Sequence, residues 1–461
     1  MTLDPTTLPP LWATPLKQDI ATKLAEHPKK IIVLDDDPTG TQTVHDVPVY
    51  TDWSVETLRD AFAQPDILFY ILTNSRSLSE ADAVSLAREL GQNLRTAASQ
   101  PFALVSRGDS TLRGHYPAEV DALTAALEEP IDAHILIPAF FEGNRETISD
   151  VHYIREGKVY TPVSETPFAA DAAFGYRNAD LKAWVEEKTK GDVRAEEVLS
   201  FSLADLRVRG PEFVARTLLA SAHPAIIVNA AHYRDLEVFT LGLLDAEAAG
   251  KRYVYRTAAS FVVTRAGLQK RDLLKAGDFD LSAETGGLVV VGSHVPLTTK
   301  QLEYLLARRE VHRGGVRGLE LEVKRLLGGE DHAAHVAAEA SRLVSQGETV
   351  VVYTSRELVE KEQVSQTMQL GQRVSAGLIE VVRALEVRPK FIIAKGGITS
   401  SDIATKGLGV KKALVRGQLL PGVPVWSLGA ESRFPGLDYV VFPGNVGAED
   451  ALSVAVAKLL D

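Results

Sequence analysis

Short apolar runs recur along this chain, separated by longer segments with helical spacing, and no other feature constrains the fold as strongly. The first series of runs is 31–34 (IIVL), 67–72 (ILFYIL), 102–106 (FALVS), 134–137 (HILI) and 225–229 (AIIVN). Between them, 79–98 carries Leu86, Leu90 and Leu94 at the repeat of an amphipathic helix. Runs of this kind, rich in β-branched residues and too short for helices, read as buried strands. Strands alternating with helices read as βαβ units on a parallel sheet. The pattern restarts at 288–292 (LVVVG), 349–354 (TVVVYT) and 390–395 (KFIIAK) and closes with a helix-like 447–460. The intervening 264–287 holds charge and glycine without a strand pattern. At 461 residues the chain exceeds what one core usually serves. The expectation is therefore an α/β protein of two domains, each a largely parallel sheet flanked by helices. The expected divisions are an N-terminal arm and leading helix (1–28), a first domain (29–265), a linker (266–287) and a second domain (288–461).

Composition narrows the function classes. A formal net charge of -11 disfavours a general binder of nucleic acid or anionic membranes. The chain has no cysteine, which removes thiol nucleophiles, Fe–S clusters and cysteine zinc sites. No run approaches the roughly 18 apolar residues of a membrane span, and the N-terminus lacks a basic stretch leading into an apolar core. A cytoplasmic protein is expected.

The ends of the apolar runs carry the chemistry. After Ile31–Leu34 come Asp35, Asp36 and Asp37, three like charges that need cations or hydroxyl donors, before a turn through Pro38 and Gly40. Arg76 follows 67–72. Arg107, Asp109, Ser110, Thr111, Arg113 and His115 follow 102–106, and Arg145 lies beyond 134–137. In a parallel sheet these ends share one edge, so the side chains converge on one crevice. Guanidinium groups grip carboxylates, and Asp, Ser and Thr suit hydroxyls, so a small acidic, hydroxylated ligand satisfies the set. His45 and His115 are the histidines placed to act as acid or base. The turn-rich segment 140–180 is expected to be a functional loop or a small β excursion.

The second half has glycine junctions instead. Gly396 and Gly397, then Thr399, Ser400 and Ser401, open a helix directly after FIIAK. Gly292 and Ser293 follow LVVV, and Gly444, Asn445 and Gly447 precede the last helix. Free N–H groups at such junctions favour phosphate, and three of them in one domain suggest a nucleotide. The common nucleotide and hydrolase signatures, GxxxxGK[ST], GxGxxG, HExxH and GxSxG, are absent. Asp331, His332 and His335 read as a polar helix start rather than a metal site, and the basic stretch Lys406–Arg416 as a solvated face.

Taken in order, DDDPTGTQ, DSTLRG, PVSETPFAAD, AKGGITSSD and FPGNVG resemble the four-carbon acid-sugar kinase family, over about residues 30–455. The resemblance implies a sugar-acid-binding first domain and a nucleotide-binding second domain, with the active site in the cleft between them. It implies phosphorylation of the terminal hydroxyl of an erythronate, threonate or 3-oxo-tetronate type acid by ATP with Mg²⁺. Carried over by motif, Asp36, Asp37 and Asp109 are the catalytic candidates. Asp36, Arg76, Asp109, Ser110, Thr111 and Arg113 bind the substrate, with Arg76 and Arg113 on its carboxylate. Ser293, Gly396, Gly397, Thr399, Gly444 and Asn445 bind the nucleotide; no metal ligand is assigned. Arg107–Gly108, Asn229 and the extra Asp35 depart from the family pattern, which bears on the substrate more than on the reaction. The partners implied are the sugar acid and ATP, and a homo-oligomer is compatible with the sequence. Two other readings fit the residues, a non-catalytic sensor of sugar acid and nucleotide and an isomerase acting on phosphorylated sugars.

Overall fold

A computed structural model describes residues 8–269, 271–308, 315–328, 331–356 and 364–460. The chain forms two compact units. One comprises Met1–Thr43 with Asp52–Lys270, the other Val44–Thr51 with Arg271–Asp461. The segment 44–51 thus leaves the first unit and joins the second.

In chain order the strands are β1 (Lys30–Asp35), β2 (Val47–Tyr50), β3 (Leu68–Leu72), β4 (Phe102–Arg107), β5 (Ala133–Ile137), β6 (Arg145–Ile148), β7 (Val151–Glu156), β8 (Val159–Pro162), β9 (Val198–Phe201), β10 (Ala225–Val228) and β11 (Tyr253–Thr257). The first unit's main sheet runs β3-β1-β4-β11-β5-β10-β9, with every neighbouring pair parallel. Both faces of β1 are covered, and all six of its residues are buried. This is why its sequence is a continuous apolar run rather than an alternation. The helix Glu80–Ala97 starts where Ser79 caps the backbone N–H of Asp82 and buries Ala83, Ala87, Leu90 and Leu94 along one stripe. The chain enters the sheet at β1, steps to β3 on one side and returns to β4 on the other. The carboxyl end of β1 is therefore a topological switch point, where open α/β sheets leave a crevice.

Segment 140–180 is a β excursion. There β6, β7 and β8 form an antiparallel sheet, whose Ile148, Tyr153 and Tyr160 pack with Leu203.

The second unit adds β12 (Leu288–Val291), β13 (Val316–Leu321), β14 (Thr349–Thr354), β15 (Ile392–Lys395), β16 (Lys412–Leu420), β17 (Val423–Leu428) and β18 (Asp438–Phe442). Its order is β13-β14-β12-β15-β18-β17-β16-β2. The pairs from β13 to β18 are parallel, while β17, β16 and β2 add an antiparallel edge. Its switch point lies between β12 and β15. Around the sheet, Val289, Val291, Ile393, Val440 and Leu452 are part of one buried core. Among the described residues no helix is long and apolar enough to cross a membrane.

Candidate active site

The three consecutive aspartates have three different environments. Asp35 ends β1 inside the sheet, 1% exposed, with Arg107 Nη1 at 3.3 Å from its Oδ1. Burial pushes its carboxyl up to about 8 despite that guanidinium. A side chain at Gly40 would collide with the Asp35 carboxylate, its Cβ only 1.9 Å from Oδ2, so glycine is required where the turn passes over the strand end. Asp37 caps the turn Pro38–Thr41, accepting from the Thr39 backbone N–H at 2.9 Å and from its hydroxyl, and pairs with Arg76 Nη2 at 2.7 Å. Burial alone would raise it, but Arg76 and Thr39 outweigh burial and hold it below the ordinary carboxylate range.

Asp36 is the exception. It is 3% exposed, and neither carboxylate oxygen has a hydrogen-bond partner. Arg76 Nη2 stands 3.6 Å from Oδ1. Burial raises its pKa against the opposing fields of Arg76, Arg256 and Arg107.

The loops after β3 and β4 close around these groups. The Arg76 backbone N–H donates to Asp36 O and that of Thr73 to Asp35 O, which ties the loop after β3 to the end of β1. From there the Arg76 guanidinium reaches Asp36, Asp37 and, through Nη1 at 3.2 Å, Asp109. Asp109 also accepts from Arg113 Nε at 2.8 Å and from the Thr111 hydroxyl. Burial opposes its ionisation, yet Arg76 and Arg113 together hold it well below the usual carboxylate range. Arg113 reaches on to Asp171 at 3.3 Å and lies over the Phe168 ring, so the excursion covers the DSTLRG segment. Tyr176 adds a hydroxyl bond to Thr111 O at 2.6 Å. Ser110 contributes its carbonyl to His152 Nε2 at 2.8 Å, while His152 Nδ1 lies 2.9 Å from the Thr147 hydroxyl. A carbonyl only accepts, so Nε2 carries the proton and Nδ1 takes the bond from Thr147. Burial pushes this imidazole down to about 4, so it stays neutral.

Asp36, Asp37, Asp109, Arg76, Thr111 and Arg113 are thus linked by direct bonds or ion pairs, and Ser110 lies within the same loop. Two further groups were not singled out by sequence. Arg256, on β11, donates to Ser106 Oγ and to Arg113 O, both at 3.1 Å. His152 sits on β7. The apolar run Tyr253–Tyr255 was the available signal for β11, but nothing local marks its arginine as part of a site. His115 is an anchor, with Nε2 at 3.2 Å from the carbonyls of both Ser75 and Leu78. His45 lies on the segment that joins the second unit, 3.0 Å from Asp46. Asn229 clamps Asp150, exchanging bonds of 2.7 Å with its backbone N–H and carboxylate.

In the second unit the three glycine junctions meet. Gly396 has φ 121°, and a Cβ there would lie 2.9 Å from Ser293 Cβ and 3.1 Å from Thr399 Oγ1. A Cβ on Gly444 would lie 2.8 Å from Ser293 Oγ. Ser293, Gly396, Thr399 and Gly444 therefore surround one point at the ends of β12 and β15. Gly397 starts the helix Gly397–Asp402, and Asn445 is exposed beyond Gly444. Thr298 Oγ1 bonds Gly444 O at 2.7 Å, and Gln301 Nε2 holds Val446 O and Ala448 O, which fixes the last loop. Lys395 ends β15 fully buried, donating to Pro443 O at 2.6 Å above the Phe442 ring. Burial lowers its pKa to about 7.

Among the described residues no group of three or more His, Asp or Glu is placed to hold a metal ion. His332 Nε2 instead accepts from the Glu322 N–H, and His335 contacts Asp331 O. Within the basic stretch Lys406 pairs with Asp402 and Arg416 with Asp438, and the Lys412 ammonium lies over the Tyr50 ring.

Residues 31–265 match the sugar-binding N-terminal domain family, and 288–452 the nucleotide-binding C-terminal domain family. The chain belongs to the four-carbon acid-sugar kinase family defined by this pair of domains. It is 35% identical over 125 residues to D-threonate kinase of Bordetella bronchiseptica, covering 26% of this chain and 29% of that enzyme's length. Two solved structures share the fold. Haemophilus influenzae protein HI1011 has a TM-score of 0.63 at 19% identity, covering 93% of this chain and 100% of that one. A protein of Salmonella typhimurium LT2 has a TM-score of 0.68 at 17% identity, covering 92% and 98%.

Proposed function

We propose that the protein is an ATP-dependent kinase that phosphorylates the terminal hydroxyl of a four-carbon sugar acid of the erythronate, threonate or 3-oxo-tetronate type. The observation that carries this reading is the buried Asp36 carboxylate with no hydrogen-bond partner. A phosphoryl acceptor needs its hydroxyl oriented and its proton removed. Asp37 and Asp109 are paired with Arg76, accept from threonine hydroxyls and are held acidic, which makes them poor bases. Asp36 has free lone pairs and a raised pKa, so it accepts the hydroxyl proton as the oxygen takes the γ-phosphoryl group and ADP leaves. Asp109, Ser110 and Thr111 face the remaining hydroxyls, and Arg76 and Arg113 supply positive field for the acid.

In the second domain the Gly396 N–H is already taken by the Phe442 carbonyl at 2.8 Å, contrary to the expectation from sequence. The Gly397 N–H, the Ser293 and Thr399 hydroxyls and the Gly444–Asn445 loop therefore receive the nucleotide phosphates, with Gly396 supplying the space. The Ser293 and Thr399 hydroxyl oxygens are the groups there that would face a Mg²⁺ carried in by the nucleotide, and its chemistry would be to neutralise phosphate charge. The D-threonate kinase relative supports the substrate class.

The test is ADP release with ATP and Mg²⁺ against D- and L-erythronate, D- and L-threonate and their 3-oxo forms. Acid-dependent release with one of them is the expected result. Nucleotide binding with no release for any acid would overturn the reading.

A further inference from the structure

Resting on the kinase reading, we infer that the acceptor's carboxylate is held by Arg145, through the Nε–Nη2 edge of its guanidinium. The other guanidinium groups of the first domain's site are already committed. Arg76 is shared among Asp36, Asp37 and Asp109, and Arg113 is divided between Asp109 and Asp171; Arg107, although its Nε has no partner, is neutralised by Asp35 through Nη1. Arg256 donates to Ser106 and to a backbone carbonyl.

Arg145 differs from all of these. It opens β6 and donates through Nη1 to the Gly143 carbonyl. Its Nε is buried without a partner, and among the described residues no carboxylate forms an ion pair with it, although the fields of Asp109 and Glu156 reach it. It nonetheless belongs to the site. Asp109 and Arg113 are the charged groups felt most strongly at its guanidinium, and its charge in turn bears on the buried His152. A half-buried cation without an anion is costly, and burial lowers its pKa accordingly. With Nη1 engaged by Gly143, the remaining edge presents two parallel donors, the geometry that a carboxylate fills with two hydrogen bonds. A carboxylate docked there lies next to Asp109, which then faces the adjacent hydroxyls. The ligand class is therefore an acid whose hydroxyl-bearing carbons follow directly on the carboxylate, and the neutral tetritol of the same length lacks the anchoring group.

The experiment compares wild type with Arg145→Met and Arg145→Lys, using the best acid of the panel and threitol as acceptors and calorimetry for binding. The expected result is that Arg145→Met raises KM for the acid about a hundredfold. KM for ATP and kcat/KM for threitol should stay within about twofold of wild type. Arg145→Lys should recover part of the acid affinity. An unchanged acid KM in Arg145→Met, or equal losses for acid and threitol, would overturn the inference. If Arg145→Met does not fold, acid affinity in Arg145→Lys decides by itself, and an undiminished value overturns the assignment. Wild-type protein that binds acid without releasing ADP would sink the kinase reading alone, since calorimetry on the variants still tests Arg145.

Discussion

Arg76 Nη1 lies 3.2 Å from Asp109 Oδ1, and this pair joins the loop after β3 to the loop after β4 across the end of β1. The same guanidinium balances Asp36 and Asp37, so one side chain compensates three carboxylates taken largely out of water. Replacing it by Met leaves those charges unpaired, at a cost of about 3–5 kcal/mol. Urea unfolding at neutral pH should show that loss. The deficit should shrink as the pH is lowered and the carboxylates take up protons.

Asp36→Asn should separate function from stability. The amide keeps the shape of a group that has no hydrogen-bond partner and removes a buried charge, so the unfolding midpoint should hold or rise. Acid-dependent ADP release should fall about a thousandfold, as expected for loss of a general base. ADP affinity, measured by calorimetry, should stay at the wild-type value.

Lys395 should give nucleotide binding a pH dependence. Its buried ammonium holds the Pro443 carbonyl, with burial lowering its pKa to about 7 and no carboxylate among the groups that shift it. An anion nearby favours the protonated form, so ADP affinity should be highest below pH 7 and decline above it. Lys395→Met should abolish this slope and weaken ADP about tenfold, by analogy with the removal of one charged hydrogen bond.

His152 makes the first domain sensitive to acid. Its folded-state pKa of about 4 lies below the ordinary 6.5, so the unfolded chain binds the proton more readily. The stability it contributes is present above pH 6.5 and is lost as the pH falls through 4. Melting temperatures across that window should fall more steeply in wild type than in His152→Gln.

Gly396→Ala tests the second domain's junction. The backbone there has φ 121°, and the added methyl meets Ser293 and Thr399. ADP binding should be lost, while binding to the first domain of whichever acid of the panel is accepted persists in calorimetry.

The strands that carry the candidate site were mostly legible in the sequence. β1, β3, β4, β5, β12, β14 and β15 are covered on both faces, so each appears as an unbroken apolar run. The groups at their ends were legible for the same reason, because a polar cluster directly after a buried strand must lie at the sheet edge. Two central contributions were not. β11 brings Arg256 beneath the loop after β4 from 143 residues further along the chain than Arg113. The segment Val47–Tyr50 leaves the first unit and pairs with β16 inside the second. Both follow from which strand lies beside which, and periodicity along a chain carries no record of neighbours across a sheet.

The sequence by itself determined the two α/β domains, the family and the groups that could carry the chemistry. Only the tertiary structure distinguished among three adjacent aspartates and several arginines of the same kind. Asp35 faces Arg107, Asp37 caps a turn, Asp36 has no hydrogen-bond partner, and Arg145 is the arginine of the site that combines an unpartnered Nε with no paired carboxylate among the described residues. Identical side chains acquire different acidities and roles through burial and the charges brought next to them, and those are fixed only when distant segments pack together.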